Sequence, residues 1–316
     1  MPLMDLRGRL DPEMLAALAE SRGLRGEEIV GWDNLAAARE AYERERRFWN
    51  RDGPALAEVR NFAVAGPYGS IPLRLYRPVM KAMLPALVFV HGGGYVLGNL
   101  DTHDRIMRLL AARSGAAVLG IDYRLAPEHR FPAQLDEIAA TLDWLATEGA
   151  GAGIDATRLA LGGDSAGAHL SLGSAIAFKG RAPRIKGMLL YYGGFGLTDS
   201  MSMRICANDL DGVNPSDLAF YRDAYTRSPR DREDPRLDCL SADLAGLPPA
   251  YILALELDTL RDDSLALAEM LGRAGVPCQL MRHDGVLHGY LHYSRVIPKA
   301  MQAIEEGAAA LRRWLF

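Results

Sequence analysis

The sequence predicts an α/β protein with a mostly parallel central sheet, helices on both faces and a helical cap. Three observations predict it. Short apolar runs recur at Ala86–Val90, Ala116–Ile121, Leu159–Leu161, Met188–Tyr192, Tyr251–Leu257 and Val276–Met281, each bounded by Gly, Pro or Asp. Amphipathic stretches of helical length lie between most of them, at Arg105–Arg113, Gln134–Ala146, Ala166–Phe178, Ser264–Ala274 and Ile297–Trp314. One long interval, between Gly193 and Pro248, holds no such run. Runs without alternation are expected of strands covered on both faces, and the intervening helices provide the cover.

Residues 1–52 read as charged and helical, with Leu15, Leu18, Ile29, Val30, Leu35, Tyr42, Phe48 and Trp49 as scattered apolar positions. The stretch Arg39–Arg47 interleaves both signs of charge, as a solvated helix face does. Two strands of a hairpin are expected next: Val59, Phe62 and Val64, the turn Gly66-Pro-Tyr-Gly69, then Ile71, Leu73, Leu75 and Tyr76. The long interval carries Phe220, Tyr221 and Tyr225 and a polar, Pro-containing run, Arg227–Arg236. An insertion of that length in a compact sheet is usually a lid or binding element.

Composition removes several classes. A chain of 316 residues that is 49% hydrophobic and 24% charged is too apolar for disorder and long enough to bury a core. A net charge of −4 offers no field to hold nucleic acid or anionic lipid. No membrane-spanning run and no signal-like N-terminus are seen. Three widely spaced cysteines, Cys206, Cys239 and Cys278, argue against a disulfide framework or cysteine metal site and point to the cytoplasm.

The strongest chemical signal is Gly163-Asp-Ser165-Ala-Gly167, directly after an apolar run and before a helical stretch. A serine on a sharp strand-to-helix turn is lifted above the sheet and placed at a helix N-terminus, and glycines two residues to either side avoid collisions. Serine needs a base, and the base an orienting acid. In such a fold they follow in the order acid, then histidine. Among His169, His283, His288 and His292, the first comes too soon after the serine to curl back on it. His288, in the loop Leu287-His-Gly-Tyr290, is preferred, with His283 as the fallback. Asp258, at the end of its apolar run, is the preferred acid. Asp262 and Asp263 are expected to cap the next helix, and Glu256 to belong to a structural hydrogen-bond network. Upstream, His91-Gly-Gly-Gly94 ends another apolar run. Consecutive glycines let backbone N–H groups crowd a developing oxyanion, and the spacing to Gly98 fails G-x-G-x-x-G.

Together, His91–Gly94, Tyr123–Pro132, Gly163–Gly167, Asp258-Thr-Leu-Arg-Asp262 and His288-Gly289 resemble the hormone-sensitive lipase-like family of α/β-hydrolases, in the bacterial carboxylesterase branch bearing G-D-S-A-G. The resemblance implies the α/β-hydrolase fold, with Ser165 as nucleophile, His288 as general base and Asp258 as its orienter. It implies an oxyanion hole from the N–H groups of Gly93, Gly94 and Ala166. The cap would combine residues 1–52 and 196–246, and the catalytic domain residues 53–195 and 247–316. The activity expected is cofactor-independent, metal-free hydrolysis of short- to medium-chain carboxylic esters. An amidase, deacetylase or peptidase on the same machinery, and a binding-only relative of the fold, are the alternatives. The expected partner is a small ester rather than nucleic acid or membrane, and a homodimer is left open.

The chain departs from the family at Ala168-His169, at Thr259 and at Tyr192-Gly193-Gly194, which bears on the shape of the acyl pocket. Arg124 and Glu128 are expected in a buried network that fixes nearby loops. Asp101-Thr-His-Asp104 is read as a capped helix start rather than a metal site. Asp209-Leu-Asp-Gly212 fails the calcium-loop spacing.

Overall fold

The computed structural model describes residues 6–25 and 32–316; Ile29 and Val30 lie outside the described residues. The N-terminal part contains helices α1 (Pro12–Arg25) and α2 (Leu35–Trp49). The hairpin follows as β1 (Glu58–Gly66) and β2 (Gly69–Arg77). Alternation then begins with β3 (Leu84–Val90), α3 (Asp104–Ser114), β4 (Ala117–Ile121) and α4 (Ala133–Glu148). It continues with β5 (Ile154–Asp164), α5 (Ala166–Ala177) and β6 (Ile185–Tyr191). The long interval holds α6 (Met201–Ile205) and α7 (Pro215–Tyr225). The last elements are β7 (Ala250–Leu255), α8 (Arg261–Arg273), β8 (Cys278–His283) and α9 (Pro298–Leu315).

Among the described residues, eight strands form one sheet in the order β1-β2-β4-β3-β5-β6-β7-β8. β1 and β2 pair antiparallel, β2 meets β4 antiparallel, and every other pairing is parallel. The strand pleat explains the unbroken apolar runs. In β3, Ala86, Val88 and Val90 enter a core shared with Leu135 and Ile138 of α4 and Leu170 of α5. Leu87 and Phe89 enter a second core with Ile106 of α3 and Ile304 and Leu311 of α9. With both faces covered, neither set of alternate positions can be polar.

Two expectations need correction here. The charged run on α2 is not a solvated face throughout: Glu45 is fully buried and Arg46 is 6% exposed. A lone buried carboxylate would be costly. Burial does push Glu45 toward neutrality, but Arg46 and Arg25 outweigh it and hold its pKa below the ordinary carboxylate value. Its bond to Arg25 measures 2.5 Å. Glu128 is likewise not in a buried network, because it pairs with Arg39 of α2 while more than half exposed. Arg124 instead pairs with the buried Glu137. The segment does brace the glycine loop, through other atoms: Tyr123 Oη donates to the His91 carbonyl (2.9 Å), and Ala126 N–H donates to the Tyr95 carbonyl (2.9 Å).

Candidate active site

Ser165 sits between the end of β5 and the start of α5 with φ +52° and ψ −122°, a region L-residues rarely occupy. The turn is possible because a Cβ on either Gly163 or Gly167 would run into the Val90 carbonyl oxygen of the neighbouring strand. The glycines let the turn that carries Ser165 close on the sheet. The leading N–H groups of α5, Ala166 first, have no carbonyl one turn earlier to bond.

The imidazole of His288 reaches this hydroxyl from the loop after β8. Its Nε2 lies 2.7 Å from Ser165 Oγ. Its Nδ1 lies 2.8 Å from Asp258 Oδ2. A carboxylate can only accept, so in the neutral ring the proton sits on Nδ1, and Nε2 presents a lone pair to the serine O–H. Asp258 is held in turn by the N–H of Leu260, donating to Oδ1 at 2.8 Å. β7 ends at Leu255, so Asp258 stands in the turn beyond it. Burial disfavours the imidazolium of His288, but the charge and hydrogen bond of Asp258, with Asp211 and Asp164, raise its pKa above the ordinary 6.5.

His283, the fallback, is turned elsewhere. Its Nδ1 meets Tyr290 Oη at 2.8 Å, and Glu306 lies 3.4 Å from Nε2. His283→Asn should therefore keep most of the turnover of a nitrophenyl ester, measured by steady-state kinetics; loss of activity there with retention in His288→Asn would exchange the two.

The glycine loop faces the same hydroxyl: Gly93 and Gly94 line a small pocket with Ser165 and His288. Both have positive φ, +124° and +60°, and a Cβ on Gly94 would enter the ring of Tyr221. Beneath the loop, Asp164 accepts the N–H of Gly92 (3.0 Å), with His103 Nε2 3.3 Å away. Ligand-type atoms of His103, Asp164 and His292 all lie within 4.8 Å of one another and are buried. Thus His103 turns inward from the Asp101–Asp104 tetrad, and no side-chain hydrogen bond caps α3. Burial would raise Asp164, but His103 and the Gly92 N–H hold its pKa below the ordinary value.

A cavity of about 560 Å³ also has Ser165 in its lining, within the size range of small-molecule sites, roughly 300–1,000 Å³. Gly194, Leu218, Tyr225, Leu260 and Asp263 are among its lining residues.

Residues 87–292 match a family model described as alpha/beta hydrolase fold. The acetyl esterase of Salmonella typhi is 40% identical over 279 residues, covering 87% of this chain and 86% of the relative. A hyperthermophilic esterase from the archaeon Pyrobaculum calidifontis superposes with a TM-score of 0.89 at 32% identity, over 96% of this chain and 98% of that one. An ester-hydrolase from the metagenome of Lake Arreo, complexed with a bipyridine phosphonate derivative, also gives 0.89, at 34% identity over 96% and 98%. The chain belongs to the α/β-hydrolase family, in its esterase branch.

Three features of this α/β-hydrolase escaped the sequence reading. Asp262 and Asp263 do not cap their own helix: Asp263 Oδ1 accepts the N–H groups of Phe195, Gly196 and Leu197, and Asp262 Oδ2 that of Ser202. They anchor the start of the long insertion onto α8. Asp211, dismissed with the failed calcium loop, lines the small pocket beside His288; burial and the charge of Asp258 raise its pKa to about 7. Trp32 stacks on Phe220 at 4.6 Å, joining the N-terminal segment to the insertion. The first two features had no local pattern, but the aromatic pair Phe220-Tyr221 in a polar insertion was a usable signal.

Proposed function

We propose that this α/β-hydrolase is a serine carboxylesterase acting on short- to medium-chain esters. The observation that carries the reading is the continuous relay from Ser165 Oγ through His288 to Asp258, with links of 2.7 and 2.8 Å, set beside a cavity large enough for a substrate. Ser165 attacks the ester carbonyl as His288 Nε2 takes its proton. The N–H groups of Gly93, Gly94 and Ala166 receive the oxyanion, and one such donor is typically worth about a hundredfold or more in rate. His288 then returns the proton to the leaving alkoxide, and water cleaves the acyl-enzyme by the same base.

The leaving oxygen must stay within reach of His288. That residue lines the small pocket and not the large cavity, so we assign the cavity to the acyl group and the small pocket to the first atoms of the alcohol. Residues 1–52 and 196–246 serve as the cap, a reading supported by the Trp32 stack and by the Trp32 Nε1 bond to Asp217 (2.9 Å). The name of the Salmonella relative supports the ester class and a short acyl chain. Three cysteines with no disulfide among them suit the cytoplasm.

A fluorophosphonate tests this reading directly. Mass spectrometry should find one adduct per chain, on the peptide containing Ser165; no adduct, or one on another residue, overturns the assignment.

A further inference from the structure

The N–H groups that receive the oxyanion come from two different elements. Those of Gly93 and Gly94 belong to the loop after β3, and that of Ala166 to the first turn of α5. Their mutual placement must hold while charge develops on the oxygen they share, because donors that have to reorganise during the reaction lose their advantage. Tyr123 and Asp164 fix the start of the loop. Directly after Gly94 the chain passes through Tyr95, whose φ of +68° is uncommon for a residue with a side chain. A bulky residue keeps such a conformation only where its surroundings impose it.

Three contacts impose it on Tyr95. Its carbonyl accepts the Ala126 N–H at 2.9 Å. Its ring stacks on that of Tyr225 of α7, with centroids 3.9 Å apart and planes 4° from parallel. Its Oη lies 3.1 Å from His169 Nδ1. His169, too close to the serine in the chain to serve as its base, stands one turn into α5, where its own N–H donates to the Ser165 carbonyl at 3.2 Å. Its Nε2 lies 2.8 Å from the Leu237 carbonyl. That oxygen can only accept, so Nε2 carries the hydrogen and Nδ1 offers its lone pair to the Tyr95 O–H. Burial lowers the pKa of His169 below 6.5, which keeps the ring neutral and that lone pair free.

We propose that Tyr95 and His169 are a positioning pair for the oxyanion hole: their hydrogen bond ties the loop bearing Gly93 and Gly94 to the helix bearing Ala166 and so sets the spacing of the donors. The proposal rests on Ser165 being the ester nucleophile and on those N–H groups receiving the oxyanion.

The test measures kcat and KM for nitrophenyl butyrate together with the Ki of propyl trifluoromethyl ketone. On that ketone Ser165 Oγ bonds to the carbonyl carbon, its proton passes to His288 Nε2, and the carbonyl oxygen becomes an oxyanion in the hole. Tyr95→Phe keeps the stacked ring and removes only the O–H. kcat should fall about tenfold, the worth of one buried hydrogen bond, with KM within about twofold of wild type. Ki should rise by the same factor as kcat/KM falls, since both report the oxyanion. His169→Leu should match it, and adding Tyr95→Phe to His169→Leu should cost little more, because the two changes remove one bond. His169→Asn, which keeps an acceptor at the Nδ1 position, should retain most of kcat. The proposal is overturned if Tyr95→Phe leaves kcat unchanged, if kcat falls while Ki stays, or if KM alone rises, the result expected if these two residues, which also line the large cavity, serve only to bind substrate. Tyr95→Phe decides the matter where His169→Leu fails to fold. A wild-type protein that does not cleave butyrate would sink the ester reading and this proposal with it, whereas butyrate hydrolysis left intact in Tyr95→Phe sinks the proposal alone.

Discussion

Ser165→Ala should lower kcat for a nitrophenyl butyrate by roughly a millionfold, by analogy with nucleophile removal in other serine hydrolases, while leaving KM near its original value. The size follows from the covalent route: without Oγ there is no acyl-enzyme, and His288 can only activate water in a site shaped for an attached acyl group. The residual rate should still exceed that in water, because the backbone of Gly93, Gly94 and Ala166 is unchanged and continues to attract the oxyanion. The fold should persist. Alanine fills less of the pocket than serine and endures the same φ of +52°. Activity within a factor of ten of wild type would mean that another group performs the attack.

The parts of this site legible in the sequence are those in which local geometry demands a residue type. Gly163 and Gly167 are required by the carbonyl of Val90, so the tight strand-to-helix turn at Ser165 could be named from five letters. The both-face burial of β3 to β7 forces unbroken apolar runs, which is why strand positions were readable while their ends were not. β5 runs through Gly162 and Gly163 along β3 and on to Asp164 along β6, where no apolar side chain signals it.

What could not be read depends on contacts across the fold. The loop position of His288 made it the preferred base over His283, but the contacts that separate them, the 2.8 Å approach of Tyr290 to one and of Asp258 to the other, come from the fold. The burial of Glu45 and Arg46 required knowing that Arg25, on the preceding helix, supplies a second cation. Asp263 looked like a helix cap from its place before the next helix; its three donors come from the loop beyond β6, 66 to 68 residues away. Each such residue satisfies a partner distant in the chain, and local pattern carries no trace of it.

Asp258→Asn tests the relay from its other end, and two readouts separate orientation from mere packing. kcat should fall by about ten-thousandfold, the magnitude seen when the orienting acid of a serine relay becomes an amide, because the amide no longer compels the Nδ1–H tautomer and can offer an N–H where the ring requires an acceptor. The second readout is the acid limb of kcat/KM. The base works only when neutral, so activity is lost as pH falls through the pKa of His288. In the intact protein that pKa is raised above 6.5 because Asp258, Asp211 and Asp164 together outweigh burial, placing the midpoint of the limb above the ordinary histidine value. Removing the largest of those charges leaves burial with less opposition, and burial favours the neutral ring. The midpoint should therefore move to lower pH in the variant even as the ceiling drops. A fall in kcat with an unmoved acid limb would show that the charge of Asp258 does not act on His288, and would reduce the carboxylate to a structural anchor for the N–H of Leu260.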